Sequence, residues 1–397
     1  MKILHVIPSV DPEAGGPGEG LRQWGTRAAT LGHSVEVVTL DAPGQPFLDT
    51  FPLRAYPLGP SKGHYRYNDK LVPWLKTNAE RYDAVVVNGI WQYHSFGVWR
   101  ALRNSRTPYY VFTHGMLDPW FRRQYPLKHA KKWLYWPWAD YRVLRDARAV
   151  LFTSEEERLQ ARQSFWLYRV NERVVAYGTS GPPQDSAPAL QTFHAQFPQL
   201  RGKRFLLYLG RIHEKKGCDL LIRAFAEQAA RQSDLMLVMA GPDQTGWATS
   251  LKETVKQLGI SERVVWIGMV RGDLKLGALH AAEAFILPSH QENFGIAVVE
   301  ALACAKPVLI SNKVNIWREI EQDGAGIVAD DTQPGAHQLL QAWAALPDSA
   351  RREMGQNAAR TFRRRFTVDA MAEGLVALFR ESQDGGTAGI PATGNGG

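Results

Sequence analysis

Short apolar runs recur along the chain and are separated by longer segments with the spacing of helices. The first series of runs is KILHVI, SVEVVTL, DAVVVN, YYVFTH and AVLFTS, and from about residue 204 a second series follows with RFLLYLG, LMLVMAG, RVVWIG, AFILPS and KPVLIS. Runs rich in β-branched residues that alternate with helices are typical of parallel sheets built from βαβ units. The pattern predicts two doubly wound α/β domains, with a first helix near residues 18–31.

The segment between the two series, GTSGPPQDSAPALQ, is rich in Pro, Gly, Ser and Ala, which indicates a linker. We therefore expect an N-terminal domain over residues 1–180, a linker over 181–203 and a C-terminal domain over 204–366. A last helix over 367–382 is expected to pack back on the N-terminal domain. The glycine-rich end, residues 383–397, is expected to be a disordered tail.

Composition agrees with a two-domain enzyme. The 397 residues are too many for one ordinary core, and 45% of them are hydrophobic while 22% are charged. The two cysteines, Cys218 and Cys304, form no CxxC pair, so we expect neither a disulfide framework nor a zinc site. The start, MKILHVIPSV, lacks the features of a signal peptide, and no apolar run is long enough to span a bilayer. These features favour a cytoplasmic protein.

The charge balance points to an anionic partner. The net charge of +8 and the pI of about 9.4 favour nucleotides, phospholipid surfaces or nucleic acid, without choosing among them. In doubly wound sheets, ligands bind at the carboxyl ends of the strands. The loops that follow the apolar runs are therefore where functional residues are expected.

The first such loop, PEAGGPGEG from Pro12 to Gly20, contains glycines that let a backbone approach an anion at a helix N-terminus. It is not a dinucleotide fingerprint, because the sixth position counted from Gly16 is Leu21 rather than glycine. Asp41 after the second run is only a weak match to a ribose-binding acid. A flexible turn without function is an equally good interpretation of this loop.

The loop LYLGRIHEKKG follows the first strand of the second series. Gly210 suits a tight turn, and Arg211, Lys215 and Lys216 gather positive charge at the start of the next helix. Fixed cations at this position suit a diphosphate. The alternative is a solvated basic loop.

The stretch SHQENFGIAVVE carries two acids, Glu292 before a helix expected to start near Phe294 and Glu300 about two turns inside it. Glu300 stands among apolar residues, where a charge is costly unless something pairs with it. Glu292 can accept hydrogen bonds from sugar hydroxyls, and Glu300 can take both hydroxyls of a ribose. The alternative for each is structural, an N-cap acid for one and a buried salt bridge for the other.

A third candidate lies in VFTHGMLDPW, where His114 directly follows a strand. A single histidine in this position is either structural or, in an interdomain cleft, catalytic, and the sequence leaves both interpretations open.

Taken together, these motifs resemble the retaining glycosyltransferases of family 4. The resemblance is carried by Gly210-Arg211, Lys216, the pair Glu292 and Glu300, and the two glycines after the first strand, and it extends to about residue 382. It implies the GT-B fold, two facing Rossmann-like domains with an interdomain cleft. THGMLDPW, followed by basic and aromatic residues, resembles bacterial members that build exopolysaccharides or lipid-linked glycans. The chain departs from many relatives at Tyr177-Gly178, where they have Asn-Gly.

The resemblance implies a role for each motif residue. Arg211 and Lys216 would bind the donor diphosphate, Glu292 the donor sugar and Glu300 the ribose, while His114 would approach the sugar from the other domain. Further donor contacts would come from Gly15, Gly16, Asn293, Phe294, Gly295 and Ile296. Met269 and Val270 would lie near the base. The implied catalytic residues are His114, Glu292, Arg211 and Lys216.

The implied reaction moves a hexose-type sugar, with retention, from a UDP- or GDP-linked donor to a hydroxyl of a glycan or lipid-linked acceptor. We expect no cofactor and no metal, because the sequence contains no Asp-x-Asp triplet and fixed cations can neutralise a diphosphate. An epimerase or phosphorylase of the same fold remains an alternative. A basic nucleic-acid-binding protein is a further one, although no base-stacking motif is evident.

The segment DPWFRRQYPLKHAKKWLYWPW, residues 118–138, has a composition suited to a lipid headgroup layer. It contains no acid after Asp118, and its basic residues alternate with Trp, Tyr and Phe. The candidate membrane or acceptor contacts are Trp120, Arg122, Arg123, Lys131 and Lys132. The alternative is a solvated basic face whose aromatic residues help to cover the domain core. We expect either a purely cytoplasmic protein or one bound peripherally to the inner face of the plasma membrane.

Overall fold

The computed structural model describes residues 1–124 and 126–384, without the side chains of 121, 123, 128 and 382–384. Within these residues the chain divides into two compact units. The first contains residues 1–153, 158–177 and those from Val368 onward, and the second contains 154–157 and 178–367.

Both units are built from parallel strands and helices that alternate along the chain. The strands are β1 Lys2–Ile7, β2 Ser34–Thr39, β3 Arg54–Pro57, β4 Ala84–Asn88, β5 Tyr109–Phe112, β6 Ala149–Phe152, β7 Glu172–Val174, β8 Arg204–Leu209, β9 Leu235–Ala240, β10 Val264–Gly268, β11 Ala284–Leu287, β12 Val308–Ser311 and β13 Gly326–Ala329. The helices are α1 Gly16–Thr30, α2 Pro46–Asp49, α3 Leu71–Asn78, α4 Tyr93–Leu102, α5 Trp120–Gln124, α6 Pro126–Tyr135, α7 Asp140–Arg145, α8 Glu155–Ala161, α9 Ala187–Gln196, α10 Cys218–Arg231, α11 Trp247–Gln257, α12 Gly272–Ala281, α13 Ile296–Ala303, α14 Trp317–Gln322, α15 Gln333–Ala345, α16 Asp348–Arg365 and α17 Val368–Asp384.

The first unit is organised around one parallel sheet with the strand order β3-β2-β1-β4-β5-β6-β7. Its central strands are apolar on both faces; Val37 and Val38 on β2 and Val85 on β4 are fully buried. Helices cover both faces of such a sheet, which is why these strands appear in the sequence as continuous apolar runs.

The second unit repeats this plan with the strand order β10-β9-β8-β11-β12-β13, again with parallel pairing. Leu206, Val238 and Ile286 lie in its fully buried centre. The prediction of two doubly wound parallel-sheet domains is therefore confirmed.

The strand order fixes where ligands are expected. In each sheet the first three strands are added one after another toward one edge, and the later strands are added toward the opposite edge. The strand order therefore reverses between β1 and β4 and between β8 and β11. Loops that leave the carboxyl ends of these strands diverge and open a crevice. The loops after β8 and β11 carry three of the four implied catalytic residues, Arg211, Lys216 and Glu292.

The segment expected to be a linker is structured. Residues 181–203 contain α9, which packs on α12 within the second unit, and Phe193 of α9 is fully buried. The two helices approach so closely that a Cβ on Gly277 would lie 2.2 Å from the carbonyl oxygen of Ala189. The Pro- and Ala-rich composition concealed a short helix whose stability depends on this packing.

The last helix, α17, belongs to the first unit. It lies against α1, where Arg27 forms an ion pair with Asp369, and the ring of Phe379 packs 4.7 Å from that of Tyr110. The helix extends to Asp384, two residues beyond its expected end. The remainder of the expected tail, from residue 385, lies outside the described residues.

Candidate active site

The loop that follows β8 is held by its neighbours. The amide of Gly210 donates to the carbonyl of Ala240 at 2.9 Å, and the hydroxyl of Tyr208 donates to the carbonyl of Arg211 at 2.7 Å. A Cβ on Gly241 would lie 1.8 Å from the carbonyl oxygen of Gly210, so the approach of the two loops requires glycine there. This fixed backbone presents the exposed side chain of Arg211.

A 3-10 turn over Glu214–Lys216 comes next and lies against the end of β11. It ends at Gly217, which has a left-handed φ of 65° and where a Cβ would meet the carbonyl oxygen of Pro288 at 2.2 Å. The amide of His290 donates to the carbonyl of Lys215 at 2.8 Å. The loops after β8 and β11 therefore form one surface.

Glu292 is the acid on this surface, and it forms an ion pair with Lys216 in which both side chains are largely buried. Its backbone is fixed by a hydrogen bond from its amide to the carbonyl of Lys313 at 2.9 Å. Burial alone would raise the pKa of Glu292, but Lys216, with Lys215 and Arg211, outweighs burial and holds that pKa below its ordinary value. Glu292 is therefore an ionised carboxylate near three cations, of which the resemblance assigns Arg211 and Lys216 to a diphosphate.

Glu300 lies on α13 and forms an ion pair with Lys275 of α12 at 2.6 Å. The expectation that it lies two turns inside the helix is wrong. The helix begins at Ile296, so Glu300 is its fifth residue and little more than one turn from the start. Glu300 thus has the salt bridge that the sequence left open, whereas Glu292 is not the N-cap of α13, which is Gly295, and has an ion pair instead. The roles of both acids toward a ligand stay predictions.

The start of α13 lies four residues after Glu292. Gly295 is the N-cap with a left-handed φ of 73°, and Ile296 is the first helical residue. Phe294 is buried, with its ring 5.7 Å from that of Phe366, and the side-chain amide of Asn315 donates to the side chain of Asn293 at 3.4 Å. The amide groups of a first helical turn lack partners within the helix and favour an anion or a hydroxyl oxygen.

The residues predicted to lie near the base, Met269 and Val270, follow β10. The side chain of Met269 is 54% exposed, whereas that of Val270 is buried. The carbonyl of Gly268 accepts a hydrogen bond from the amide of Gly241 at 2.7 Å, which joins this loop to the one after β9. An exposed thioether beside a fixed loop suits contact with a planar base, and this contact stays a prediction.

In the first unit, Gly15 and Gly16 stand where the loop after β1 enters α1. Both are exposed, and Gly15 has a φ of 114° that disfavours other residues. One turn later, a Cβ on Gly20 would lie 1.8 Å from the hydroxyl oxygen of Tyr177. Tyr177, the residue that departs from the family pattern, is therefore packed tightly against α1.

His114 follows β5 and has a left-handed φ of 48°, which is uncommon for histidine and orients its ring. The residue is partly exposed, and its ring stacks on Phe112 at 5.3 Å with Nε2 3.3 Å from the amide oxygen of Asn88. Burial, and then the nearby His94, lower the pKa of His114 to about 4. At neutral pH the imidazole is uncharged.

The segment 118–138 forms α5 and α6 and the turn after them. Arg122 and Lys131 are exposed, Trp120 is half-buried, and Lys132 lies over the ring of Trp91 at 4.3 Å. The side chain of Arg123 lies outside the described residues. The aromatic residues divide between the two expected roles, because Trp136 is fully buried whereas Trp133 and Trp138 are 38% and 68% exposed.

A cavity of about 750 Å³ lies at the other edge of the second sheet. Arg204, Glu283 and Pro307, at or just before the amino ends of β8, β11 and β12, help to line it. It is thus separate from the surface around Glu292. Among the described residues, no group of three or more His, Cys, Asp or Glu is placed to hold a metal ion.

Sequence reasoning missed Lys275 and Asn88. Lys275 is the partner of Glu300 but stands 25 residues before it on another helix, so no local pattern connects them. Asn88 ends the run DAVVVN, and a polar residue at the carboxyl end of a buried strand was a signal that could have identified it.

Two protein families match the chain, one in each unit. Residues 15–178 match the glycosyl transferase 4-like domain, and residues 191–361 match the glycosyl transferases group 1. Among curated proteins, the chain is 35% identical to a D-inositol 3-phosphate glycosyltransferase of Kineococcus radiotolerans, over 61% of this chain and 59% of that protein. It is 27% identical to the alpha-D-kanosaminyltransferase of Streptomyces kanamyceticus, over 62% of this chain and 63% of that protein. The chain thus spans about 60% of the length of these two relatives.

Solved structures share the fold over nearly the whole chain. Sucrose-phosphate synthase from Thermosynechococcus elongatus has a TM-score of 0.77 at 21% identity, with 96% of this chain and 99% of that chain covered. Anabaena HepE in complex with UDP and glucose has a TM-score of 0.75 at 19% identity, with 96% and 100% covered. Together with the two sheets described above, these likenesses confirm the predicted GT-B fold.

Proposed function

Because the chain belongs to the glycosyltransferases with a GT-B fold, we propose that it moves a hexose-type sugar from a nucleoside diphosphate sugar to a hydroxyl group. The proposal includes retention of the anomeric configuration and, as acceptor, a glycan or lipid-linked sugar of surface polysaccharide synthesis. The observation that carries it is Glu292, which is ionised near Lys216, Lys215 and Arg211 and lies four residues before a helix start.

The cations have a clear task in this reaction. Cleavage of the anomeric bond leaves negative charge on the diphosphate, and fixed cations stabilise that charge as it develops. Arg211 is exposed to a ligand, and Lys216 would share its charge between Glu292 and the diphosphate. The first amides of α13 add a third source of positive potential.

The two acids would bind neutral parts of the donor. Glu292 would accept hydrogen bonds from the sugar hydroxyls, and Glu300 would accept them from the ribose while Lys275 stays beside it. A glycosidase uses two carboxylates on either side of one bond. Here each carboxylate already has its own cation, which suits binding better than hydrolysis.

The comparisons support this function over its alternatives. The two curated relatives are named as glycosyltransferases, and HepE was solved with UDP and with UDP-glucose. A uridine nucleotide is therefore the first donor to test. None of these names favours an epimerase, a phosphorylase or a nucleic-acid-binding protein.

We propose further that the reaction uses neither a cofactor nor a metal ion. Fixed cations at the diphosphate supply the charge that a bound Mg²⁺ would otherwise bring. The measurement is the rate of donor consumption after dialysis against EDTA, with and without added Mg²⁺. A strict requirement for the metal would contradict this part of the proposal.

The main experiment compares UDP, GDP and ADP by the thermal unfolding temperature of the protein. A nucleotide that binds the folded state stabilises it by about 2.7 kcal/mol when present at 100 times its Kd. The preferred nucleotide then selects the sugar donors for a transfer assay with simple hydroxyl acceptors, and the anomeric proton of the product is read by NMR. No stabilisation by any of the three nucleotides and no donor consumption would refute the proposed function.

Peripheral contact with an anionic membrane is proposed for the surface around α6. Its most exposed large apolar side chains are Leu127, Leu134 and Trp138, at 83%, 79% and 68% exposure, with Trp166 at 65%. Lys131 and Arg122 lie on the same segment and are exposed. Apolar side chains beside cations suit the boundary between lipid headgroups and acyl chains. No helix in the described part of the chain is long and apolar enough to cross a membrane.

A further inference from the structure

A polar network joins three adjacent strands of the first sheet behind His114. His5 lies on β1, Asn88 is the last residue of β4, and His114 is the second residue after β5. Since β1, β4 and β5 are neighbours in the sheet, these side chains meet. The amide nitrogen of Asn88 is 3.0 Å from Nδ1 of His5, and its amide oxygen is 3.3 Å from Nε2 of His114.

The hydrogen bonds of this network determine which atom of each side chain donates and which accepts. Asn88 and His5 are 5% and 3% exposed, and buried polar groups of this kind need hydrogen-bond partners. An amide side chain has one donor end and one acceptor end. When its NH₂ group donates to Nδ1 of His5, its oxygen accepts from Nε2–H of His114. His114 then carries its hydrogen on Nε2 and keeps the lone pair on Nδ1.

The surroundings of His114 keep the ring neutral. The ring of His114 stacks on Phe112, lies 6.3 Å from the edge of Tyr177 and is next to Asn88, and the imidazoles of His5 and His94 interact with it electrostatically. None of these is a carboxylate. Burial lowers the pKa of His5 to about 3 and that of His94 to about 4, so neither brings a charge at neutral pH.

His94 is part of the same arrangement through the backbone. Its Nε2 lies 2.9 Å from the carbonyl oxygen of Asn88 and 3.1 Å from that of Gly89, so it donates to the turn that ends β4. Arg66 is the charged residue that acts on His94, and it lowers the pKa of His94 further. The backbone of Asn88 is thus fixed independently of its side chain.

We propose that Asn88 is a positioning residue, which fixes the tautomer and ring orientation of His114 so that a neutral imidazole offers Nδ1 as an acceptor to a sugar hydroxyl. His5 holds the Asn88 amide in the matching orientation. The inference rests on the proposed function, because it gives His114 a sugar to contact. It adds two residues, Asn88 and His5, to which neither the sequence nor the comparisons assign a role.

The test replaces Asn88 by Asp in the full chain. A carboxylate accepts from both imidazoles and favours their protonated forms, so the pKa of His114 should rise by at least one unit. The titration of the His114 ring is followed by NMR on histidine-labelled protein and assigned with His114→Gln. The apparent pKa on the acid side of the pH profile of kcat/KM for donor consumption should rise by the same amount. When Asn88→Asp is introduced into a His114→Gln variant, this apparent pKa should not change.

Asn68→Asp is the matched control. Asn68 is also buried in the first unit, but its side chain contacts the backbone of Leu58, Lys70 and Leu71 rather than His114. The control variant should leave both the His114 titration and the pH profile unchanged. An equal change in both variants would overturn the inference, since it would reflect a buried charge at any position.

A neutral variant keeps the proposal testable if Asn88→Asp does not fold. Asn88→Ser removes the acceptor that fixes Nε2–H, so ¹⁵N shifts of His114 should change from one tautomer to a mixture, with kcat lowered at least tenfold and the donor KM changed less. The inference would be overturned if the His114 ring had the same pKa and the same tautomer in the Asn88 variants as in the parent. It would also be overturned if the pKa of His114 changed while the pH profile of kcat/KM did not. If the parent consumes no donor, the proposed function has failed, and the NMR arm alone decides whether Asn88 controls His114.

Discussion

At the scale of single residues, Glu300 is the most direct test of donor binding. Its carboxylate has one described cation, Lys275, and is proposed to bind the ribose hydroxyls as well. Glu300→Ala should weaken donor binding by about 1–3 kcal/mol, because the ribose hydroxyls and the ammonium group of Lys275 lose their hydrogen-bond acceptor. Glu300→Gln should weaken donor binding less, because the amide oxygen still accepts. The measurement is the donor KM, or nucleotide affinity by calorimetry.

Glu172→Gln is the control for Glu300. Glu172 is a similarly buried acid that pairs with Arg158 and Arg162 at the edge of the first sheet. Its replacement should leave donor affinity unchanged. Unchanged affinity in both Glu300 variants, with the fold intact, would show that Glu300 serves only its ion pair.

Arg211 and Lys216 test stabilisation of the leaving diphosphate. Replacing either by Ala should cost about 2–4 kcal/mol in kcat/KM, the scale of one preorganised charge in an active site. Lys216→Ala should also raise the pKa of Glu292, because burial then acts against fewer cations. Lys203→Ala, on an exposed position before β8, is the control and should have no effect on kcat/KM. If Arg211→Ala and Lys216→Ala behave like the control, the diphosphate binds elsewhere.

The sequence was sufficient to identify several residues of the candidate site, but not the residues with which they form ion pairs and hydrogen bonds. Arg211, Lys216 and Glu292 could be singled out because each stands just after a buried strand, where parallel sheets place ligands. The ion pair between Lys216 and Glu292 joins residues 76 positions apart and could not be deduced from local spacing. The Asn88 network requires knowledge that β1, β4 and β5 are neighbours, which only the sheet topology provides.

At the scale of secondary-structure elements, Gly217 joins the loop after β8 to the end of β11. A Cβ there would meet the carbonyl oxygen of Pro288 at 2.2 Å, in addition to the left-handed φ of 65°. Gly217→Ala should therefore displace the 3-10 turn that carries Lys216, lower the unfolding temperature and weaken donor binding. The backbone conformation alone costs about 1–3 kcal/mol, and the contact adds to it.

Gly259→Ala separates these two costs. Gly259 has a left-handed φ of 69° after α11, but a Cβ at this position would have no neighbouring atom within 4 Å. This control should lower the unfolding temperature only as far as the cost of the left-handed backbone conformation requires. It should leave donor affinity unchanged. Equal destabilisation in both variants, with donor affinity retained, would mean that the contact with Pro288 does not position the site.

Strands were predictable from the sequence to the extent that they were buried on both faces. β2 and β4 are such strands, and their runs of valine can satisfy both faces of a covered parallel sheet.

Elements whose formation depends on tertiary contact were not predictable in the same way. α9 lies in Pro- and Ala-rich sequence and packs Phe193 into the second unit, so its composition alone indicated a linker. The start of α13 was misplaced by two residues, because its N-cap is Gly295 and its first helical residue is Ile296 rather than Phe294.

At the scale of the molecule, His5, His94 and His114 of the first unit predict how stability depends on pH. Burial lowers the pKa values of His5, His94 and His114 to about 3, 4 and 4. In the unfolded chain histidine titrates near pH 6.5, so below that pH the unfolded state binds more protons than the folded state. Stability should therefore be constant above about pH 6.5 and fall toward pH 4, by about 1.4 kcal/mol per pH unit for each fully buried imidazole.

The measurement is the urea midpoint of the first unit's unfolding at pH 7, 6 and 5. His94→Gln retains a donor for the carbonyl groups but cannot titrate, so it should reduce the slope by one proton. His64→Asn, at an exposed position, is the control and should preserve the slope. A midpoint that does not change between pH 7 and 5 would contradict the neutral, buried state of these rings.

The surface around α6 makes a separate prediction about the whole protein, because association with a bilayer depends on charge and apolar area together. Anionic lipid contributes about 1 kcal/mol per well-placed cation, and exposed Leu and Trp side chains add apolar insertion. The parent should therefore sediment with vesicles in proportion to their phosphatidylserine content. Changing Arg122, Arg123, Lys131 and Lys132 to Gln should abolish this dependence, and Leu127→Ser with Leu134→Ser should weaken binding at every lipid composition.

A variant with four cations removed from the second unit controls for net charge. Lys252, Arg352, Arg360 and Arg363 belong to the second unit, on α11 and α16, and changing them to Gln removes the same charge as the first variant. If the proposed surface is specific, this control should sediment as the parent does, because long-range attraction is screened within about 10 Å at ordinary salt. Equal loss in both variants would assign the attraction to overall charge. Negligible sedimentation of the parent at low salt would remove the membrane contact, and a soluble glycan would then be the better acceptor to test.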